Sequence, residues 1–286
     1  MLKQQWVVSC LLVLLWTSSH GSEVFRFAPL PMQDPERVVR DVYPLLEYIE
    51  SQTGLSFQIV YSESYSELIS RIEDGEVDLT NLGPLPYVEL SERFPDASPL
   101  LVFREPDGEA SYTCALVTFV GAPLADDAWK GQNFALTQPM STCGFLATSH
   151  LLNKKGVDLM RSGYCYLSRH DEVALSVIRG HYVAGGMKTQ IARNYAHLGL
   201  QVELESPAFP GFALVANTQT LSAKQQQQIQ SALLALQPQD NRKDAKKLAD
   251  WGEGFRHGAA EISDEDYHSL RQLLLDTPIP EECRIP

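Results

Sequence analysis

Between Val24 and Leu82 the chain alternates strand and helix patterns, and that order narrows the fold more than any other feature. Val24 to Leu30 alternates as a strand and breaks at Pro31. Asp34-Pro35-Glu36 opens a helix to about Thr53, with Val38, Val39, Val42, Leu45, Leu46 and Ile49 at helical spacing and Gly54 as its stop. Phe57 to Tyr61 is a second strand, Ser64 to Gly75 a second helix, and Val77 to Leu82 a third strand. A helix follows Gly83-Pro84, from Pro86 or Tyr87 onward. Strand, helix, strand, helix, strand folds as a parallel α/β lobe, because the crossovers lay each helix back on the sheet.

Ser111 to Val120 is strongly β and leaves that lobe. A second α/β unit follows: a strand at Phe134 to Thr137, a helix from Gly144 to Lys155, a strand at Tyr164 to Leu167 and a helix from Asp171 to Arg179. The apolar strand Phe212 to Ala216 carries the chain home, and three polar-faced helices close the sequence, near Ser222–Leu236, Asp240–Trp251 and Asp264–Leu274. The expected fold is therefore α/β, a two-lobe clamshell with two crossover hinge strands. Residues 22–117 with 206–286 form the first lobe, and residues 118–205 the second. Ligands of open α/β sheets sit beyond the carboxyl ends of the strands. Helix starts at Asp34, Pro86, Ser141 and His170 all lie on that edge, facing the cleft.

Met1 to Gly21 carries one early charge at Lys3, an apolar run from Trp6 through Trp16 and a small, polar end, the layout of a cleaved secretory signal peptide. The run is shorter than the roughly 20 apolar residues of a spanning helix, and Cys10 lies inside it rather than after it, so a lipid anchor is not expected. The chain is expected in the periplasm, not inserted in the membrane after cleavage, and as a monomer. A net charge of -13 argues against nucleic acid or an anionic membrane as partner. It does not exclude a small anionic ligand, because backbone N–H groups act locally.

Beyond the leader stand Cys114, Cys143, Cys165 and Cys283. In an oxidising compartment they favour disulfides, and sequence does not choose among the pairings. No spacing suggests zinc, and no cofactor is expected.

Pro139-Met140-Ser141-Thr142-Cys143-Gly144-Phe145-Leu146 puts small hydroxyl residues and a glycine where a strand turns into a helix. Free N–H groups and the positive end of the helix dipole make such a turn a seat for an oxyanion. Ser141 and Thr142 read either as ligand contacts or as an ordinary helix cap. Cys143 is either a thiol activated by the helix end or half of a disulfide to Cys114 or Cys165.

These residues, in order, resemble the phosphate/phosphite/phosphonate-binding subunits of ABC importers, the PhnD-like group of type II periplasmic binding proteins. The matching stretches are Asp34-Pro35-Glu36-Arg37, Gly75 to Leu79 leading to Leu82-Gly83-Pro84-Leu85-Pro86-Tyr87-Val88, Ser141 to Leu146, His170 to Gly180 and Ile262 to Tyr267. The resemblance implies a closed cleft in which Ser141, Thr142 and the N–H groups near Cys143 and Gly144 hold phosphoryl-type oxygens. Tyr87 would close from the first lobe, His170 would donate from the second, and Met32 with Gln33 would occupy the loop after the first strand.

The chain departs from the family pattern at three places. Cys143 replaces a serine, so a hydroxyl gives way to a weaker donor. Ser168-Arg169-His170-Asp171 stands where Gly-Ser-His-Asp is usual, and Val183-Ala184-Gly185 lacks the usual Asp. The missing carboxylate counts against an aminoalkyl phosphonate, while Arg169 and Lys188 would supply positive charge to a ligand that is anionic all over. His170 reads alternatively as a capping histidine, Tyr87 as an aromatic packed on the lobe, and Arg169 as solvent-exposed. The loop Pro207 to Phe212 either places an aromatic in the cleft or packs at the hinge.

The leading expectation is a non-enzymatic periplasmic receptor that captures a small oxyanion for an ABC permease. A second reading makes it a sensor subunit reporting an oxyanion or a sulfur compound to a membrane histidine kinase. A third, an enzyme with Cys143 as nucleophile and His170 as base, requires a free thiol at Cys143.

Overall fold

The computed structural model describes residues 23–32, 34–122, 129–275 and 277–285. The expected signal peptide and Gln33 lie outside the described residues. The chain begins with β1 (Val24–Ala28), α1 (Pro35–Thr53), β2 (Ser56–Ile59), α2 (Tyr65–Glu73), β3 (Leu79–Leu82), α3 (Pro84–Arg93) and β4 (Ala97–Phe103). Short strand β5 (Ser111–Tyr112) leads into β6 (Cys114–Phe119), followed by β7 (Asn133–Leu136), α4 (Phe145–Asn153), β8 (Gly163–Tyr166), α5 (His170–Ile178), β9 (Ala184–Lys188), α6 (Thr189–Asn194) and β10 (Leu200–Glu205). It returns through β11 (Phe209–Pro210) to β12 (Ala213–Asn217), α7 (Ala223–Leu234), α8 (Arg242–Leu248), β13 (Ala259–Ala260) and α9 (His268–Leu275).

Local chemistry accounts for the first helix. The Asp34 side chain accepts from the N–H groups of Glu36 and Arg37, Pro35 occupies the first helical position, and Gly54 ends the helix in the left-handed conformation. Val38, Val42, Leu45, Leu46 and Ile49 form its buried stripe. α2 is capped in the same manner by Ser64, whose side chain accepts from the N–H of Glu67.

Two sheets form, in the order β13-β4-β12-β3-β1-β2 and β10-β6-β9-β7-β8. The first is mixed rather than parallel throughout. β1 pairs in parallel with β2 and β3, but the returning strand β12 runs antiparallel between β3 and β4. Strands β4, β9 and β10 have no counterpart in the sequence reading. Gly185 and Gly186 in β9 and the serine and proline in β4 weaken a propensity signal there.

Two corrections apply to the lobe boundaries. β6 lies wholly in the second sheet, so that lobe begins at Cys114 and a start at residue 118 cuts through the strand. The tail does not stay with the first lobe: Tyr164 and Arg284 form an antiparallel bridge, and Cys165 is disulfide-bonded to Cys283. The two crossovers pair with each other, β5 against β11, as a two-stranded ribbon.

The lobes are shut. One buried cluster holds Tyr65, Leu85 and Val88 from the first lobe together with Cys143, Leu146 and Ala147 from the second. Gln138 bridges them as well, its Nε2 donating to Pro31 O at 3.2 Å and its Oε1 accepting from Tyr65 N at 3.4 Å.

Candidate functional site

A small chamber lies between the lobes at the carboxyl ends of β1, β3 and β7. Leu30, Gly83 and Pro86 line it from the first lobe, and Ser141, Thr142, Cys143, His170 and Lys188 from the second. Tyr65, Tyr112 and Phe212 complete the wall. About 10 Å³ of it is open to the centre of a water-sized sphere. Beyond Leu30, Lys188 and Phe212 it adjoins a second chamber of about 100 Å³ lined by Met32, Val38, Asp41, Asn81, Glu253 and Phe255, among others.

The turn from β7 into α4 supplies the donors. Gly144, not Ser141 or Thr142, is the N-cap of α4, so the two hydroxyl residues precede the helix and do not cap it. Ser141 N–H donates to Gln138 O and Gly144 N–H to Ser141 O, which folds the turn onto itself. The N–H groups of Thr142 and Cys143 have no acceptor among the described residues, and both residues face the chamber. Ser141 Oγ likewise has no partner among the described residues. A Cβ at Gly144 would stand 2.5 Å from Gln138 O, so only glycine lets the turn close this tightly.

His170 opens α5 and is 6% exposed. Its Nδ1 accepts the Lys188 N–H at 3.2 Å, which leaves the proton on Nε2. Burial, reinforced by the Lys188 ammonium and opposed by Asp171, lowers its pKa to about 4. It is thus a neutral donor at neutral pH. Burial holds both Tyr65 and Tyr112 in the protonated form, well above the usual tyrosine range.

Lys188 is the one cation among the described residues lining the chamber. Its Nζ lies 2.6 Å from Glu105 Oε1 and over the rings of Tyr112 and Phe212, at 4.9 and 5.0 Å. Those two rings stack with centroids 5.5 Å apart.

Cys143 is half of a disulfide with Cys114, which excludes the free thiol that the enzymatic reading requires. The bond ties this turn to the first residue of β6. Behind it, a Cβ at Gly186 would collide with Thr148 Oγ1 and stand 2.7 Å from Cys143 O, so β9 and the head of α4 meet backbone to backbone.

Three expected contacts are placed elsewhere. Tyr87 points away from the cleft: its hydroxyl donates to Asp264 Oδ1 at 2.8 Å and its ring packs on Tyr267 at 4.4 Å, because it leaves α3 on the face that meets the C-terminal helix. Arg169 is engaged outside the chamber by Asp171 and Glu172, at 3.0 and 2.9 Å. Met32 lines only the adjoining chamber.

Sequence reasoning missed Tyr65 and Tyr112 as walls of the site. Tyr65 reads as a helix residue and Tyr112 as one aromatic in a strand. Nothing local marks either as facing a cleft. Phe212 lines the chamber and also stacks on Tyr112 of the crossover, so the loop fits both readings that the sequence left open.

A family model described as "ABC transporter, phosphonate, periplasmic substrate-binding protein" matches residues 27–267. Over 188 residues the chain is 26% identical to the phosphate-import protein PhnD of Mycolicibacterium smegmatis, a match covering 59% of this chain and 56% of that protein. The chain thus spans little more than half the length of that curated relative. Among solved structures, PhnD1 from Prochlorococcus marinus, in complex with methylphosphonate, superposes at a TM-score of 0.76 with 15% identity, covering 88% of this chain and 97% of that one. A binding protein component of an ABC phosphonate transporter from Pseudomonas aeruginosa superposes at 0.73 with 20% identity, covering 89% and 86%. At these identities the structures speak for the fold.

Proposed function

This chain belongs to the family of periplasmic phosphonate-binding proteins of ABC transporters, and on that premise we propose that it captures a small phosphorus oxyanion and presents it to an ABC permease. The observation that carries the reading is one turn, with Thr142 and Cys143 amides that have no acceptor among the described residues, whose Ser141, Thr142 and Cys143 line an interlobe chamber together with neutral His170 and with Lys188. Unpaired amides at a helix head and one cation suit the oxygens of a phosphonate, phosphite or phosphate.

The ligand would lie on the second lobe's donors while Leu30, Gly83 and Pro86 shut over it. Binding then draws the protein toward the closed form, and the permease would recognise that shape. The leader read at Met1–Gly21 would deliver the chain to the periplasm. Binding rather than catalysis is supported by the disulfide at Cys143 and by the occupied Nδ1 of His170.

No carboxylate is among the described residues lining the chamber. Asp41 and Glu253, in the adjoining one, are engaged by Arg37 and by Arg256 and His257. This favours a ligand that is anionic all over rather than an aminoalkyl phosphonate.

Calorimetry against methylphosphonate, phosphite, phosphate, aminoethylphosphonate, sulfate and tetrathionate tests the reading. Binding of one of the first three, weakened by Ser141→Ala and Lys188→Ala, is expected. Failure to bind any phosphorus oxyanion overturns it.

A further inference from the structure

The only cation lining the chamber, among the described residues, is already paired, and we propose that Glu105 makes the site select a singly charged, still protonated oxyanion over a dianion. The inference rests on the oxyanion reading above and names the charge state of the ligand.

Glu105 belongs to the outgoing crossover after β4 and is held there. Its N–H donates to Glu109 O and its carbonyl accepts from Gly108 N–H, while Arg104 Nη1 donates to Gly108 O at 2.8 Å. The side chains of Lys188 and Glu105 are 12% and 11% exposed, so water screens the pair little. A ligand oxygen accepting from Lys188 Nζ sits about 2.8 Å from it. With Glu105 Oε1 2.6 Å from Nζ, that oxygen lies within about 5.5 Å of the carboxylate. At this range, in a nearly dry site, like charges repel strongly.

Among the described residues lining the chamber, no other group restores a net positive charge. His170 on α5 is neutral, with its pKa lowered to about 4 by burial and by Lys188. Tyr65 on α2 and Tyr112 on β5 remain protonated phenols. Asp171, the acidic neighbour of His170, is bound by Arg169. Asp41 on α1 and Glu253, in the adjoining chamber, are themselves paired, with Arg37 and with Arg256 and His257. Arg104 donates to the Ala259 and Gly108 carbonyls and lines neither chamber, and Glu109 sets a carboxylate on the same turn.

Lys188 and Glu105 therefore sum to zero, and fixed N–H dipoles are what remains to attract the ligand. Dipoles suffice for one negative charge, but the second charge of a dianion meets Glu105 uncompensated. Glu105 acts through Lys188, which makes it a positioning residue that sets selectivity.

Calorimetry of wild type and Glu105→Gln with methylphosphonate, inorganic phosphate and sulfate, from about pH 5 to about pH 8.5, spans the second ionisation of a phosphoryl group. In the wild type the affinity for methylphosphonate should fall about tenfold per pH unit above that ionisation, as the competent monoanion is depleted. Sulfate, a dianion throughout, should bind weakly at every pH. Glu105→Gln should flatten the methylphosphonate profile and strengthen sulfate binding by at least roughly tenfold.

A wild-type affinity that stays flat or rises across the ionisation overturns the inference, as does a Gln variant that keeps the wild-type profile. Should the variant not fold, the wild-type profile decides alone. If the wild type binds none of the three anions at any pH, the oxyanion reading fails, and this inference fails with it.

Discussion

The backbone N–H of Leu85, in the first turn of α3, donates across the cleft to Thr142 Oγ1 at 3.0 Å. Pro84 and Pro86 flank Leu85 and have no N–H, so this amide is the free donor of that turn, and it closes on the second lobe. Thr142 thereby contributes an unpaired amide from its backbone, on a residue that lines the chamber, and an interlobe latch from its side chain.

Thr142→Val keeps the shape and removes the acceptor, leaving a buried N–H unpaired at a cost of about 1–3 kcal/mol to the closed form. Oxyanion affinity is expected to fall roughly tenfold or more, with Thr142→Ser close to wild type. Small-angle scattering should show the ligand-free Val variant more open. Equal affinity and equal scattering for Val and wild type would show that the latch contributes nothing.

The tail joins the two lobes a third time. Leu270 and Arg271 hold α9 on the first lobe, Arg271 Nη2 donating to Ser91 Oγ at 3.0 Å, and Cys283 then bonds to Cys165 in the second. The crosslink spans 118 residues, and its removal in Cys165→Ser/Cys283→Ser is expected to cost about 2–4 kcal/mol of stability by denaturant titration. A midpoint unchanged by the double substitution would contradict this.

Both disulfides together account for Cys114, Cys143, Cys165 and Cys283. Denatured, unreduced protein lacking residues 1–21 should therefore show no free thiol, and four after reduction, since Cys10 is the fifth of the 5 cysteines. A reactive thiol at Cys143 in the native protein would reopen the enzymatic reading.

Asp78 is buried against Arg26, whose Nη2 and Nε reach its carboxylate at 2.7 and 2.9 Å, with the Arg26 N–H at 2.6 Å. Burial pushes the carboxyl up, but the hydrogen bonds from Arg26 overcome it and hold the group below the usual carboxylate range. A depressed folded pKa gives stability that is present above the unfolded value, about 3.9, and lost as pH falls through the folded one. Asp78→Asn should lose about 3 kcal/mol at neutral pH and show a shallower loss below about pH 4. Parallel denaturation curves for the two proteins down to acid pH would count against this role.

His170 acts in a separate pH window. Its folded pKa, lowered to about 4 by burial, lies below the unfolded value of about 6.5. Its contribution is therefore full above about pH 6.5 and declines as pH falls toward the folded value. His170→Gln should flatten the stability profile between those limits in chemical denaturation. An unchanged slope would mean that the ring titrates normally.

The strand–helix alternation, the Asp34 cap, the Gly54 stop and the turn at Ser141–Gly144 were legible because each is governed by neighbours within a few residues. Hydrophobic period, capping side chains and glycine conformations are local properties that a linear chain displays openly. The two-lobe order followed from them, and so did the family resemblance.

Pairings between distant residues were decided by the tertiary structure alone. The mixed first sheet required β12 to return between β3 and β4, and Cys114 had to meet Cys143 across 29 residues. Tyr87 reads as a site residue until packing gives it Asp264, 177 positions away, as a partner. Conversely, Tyr112, Glu105 and Lys188 are unremarkable one at a time. They become a site because the closed lobes exclude water and bring a charge pair and two rings together, and that energy exists only between groups that the chain itself keeps far apart.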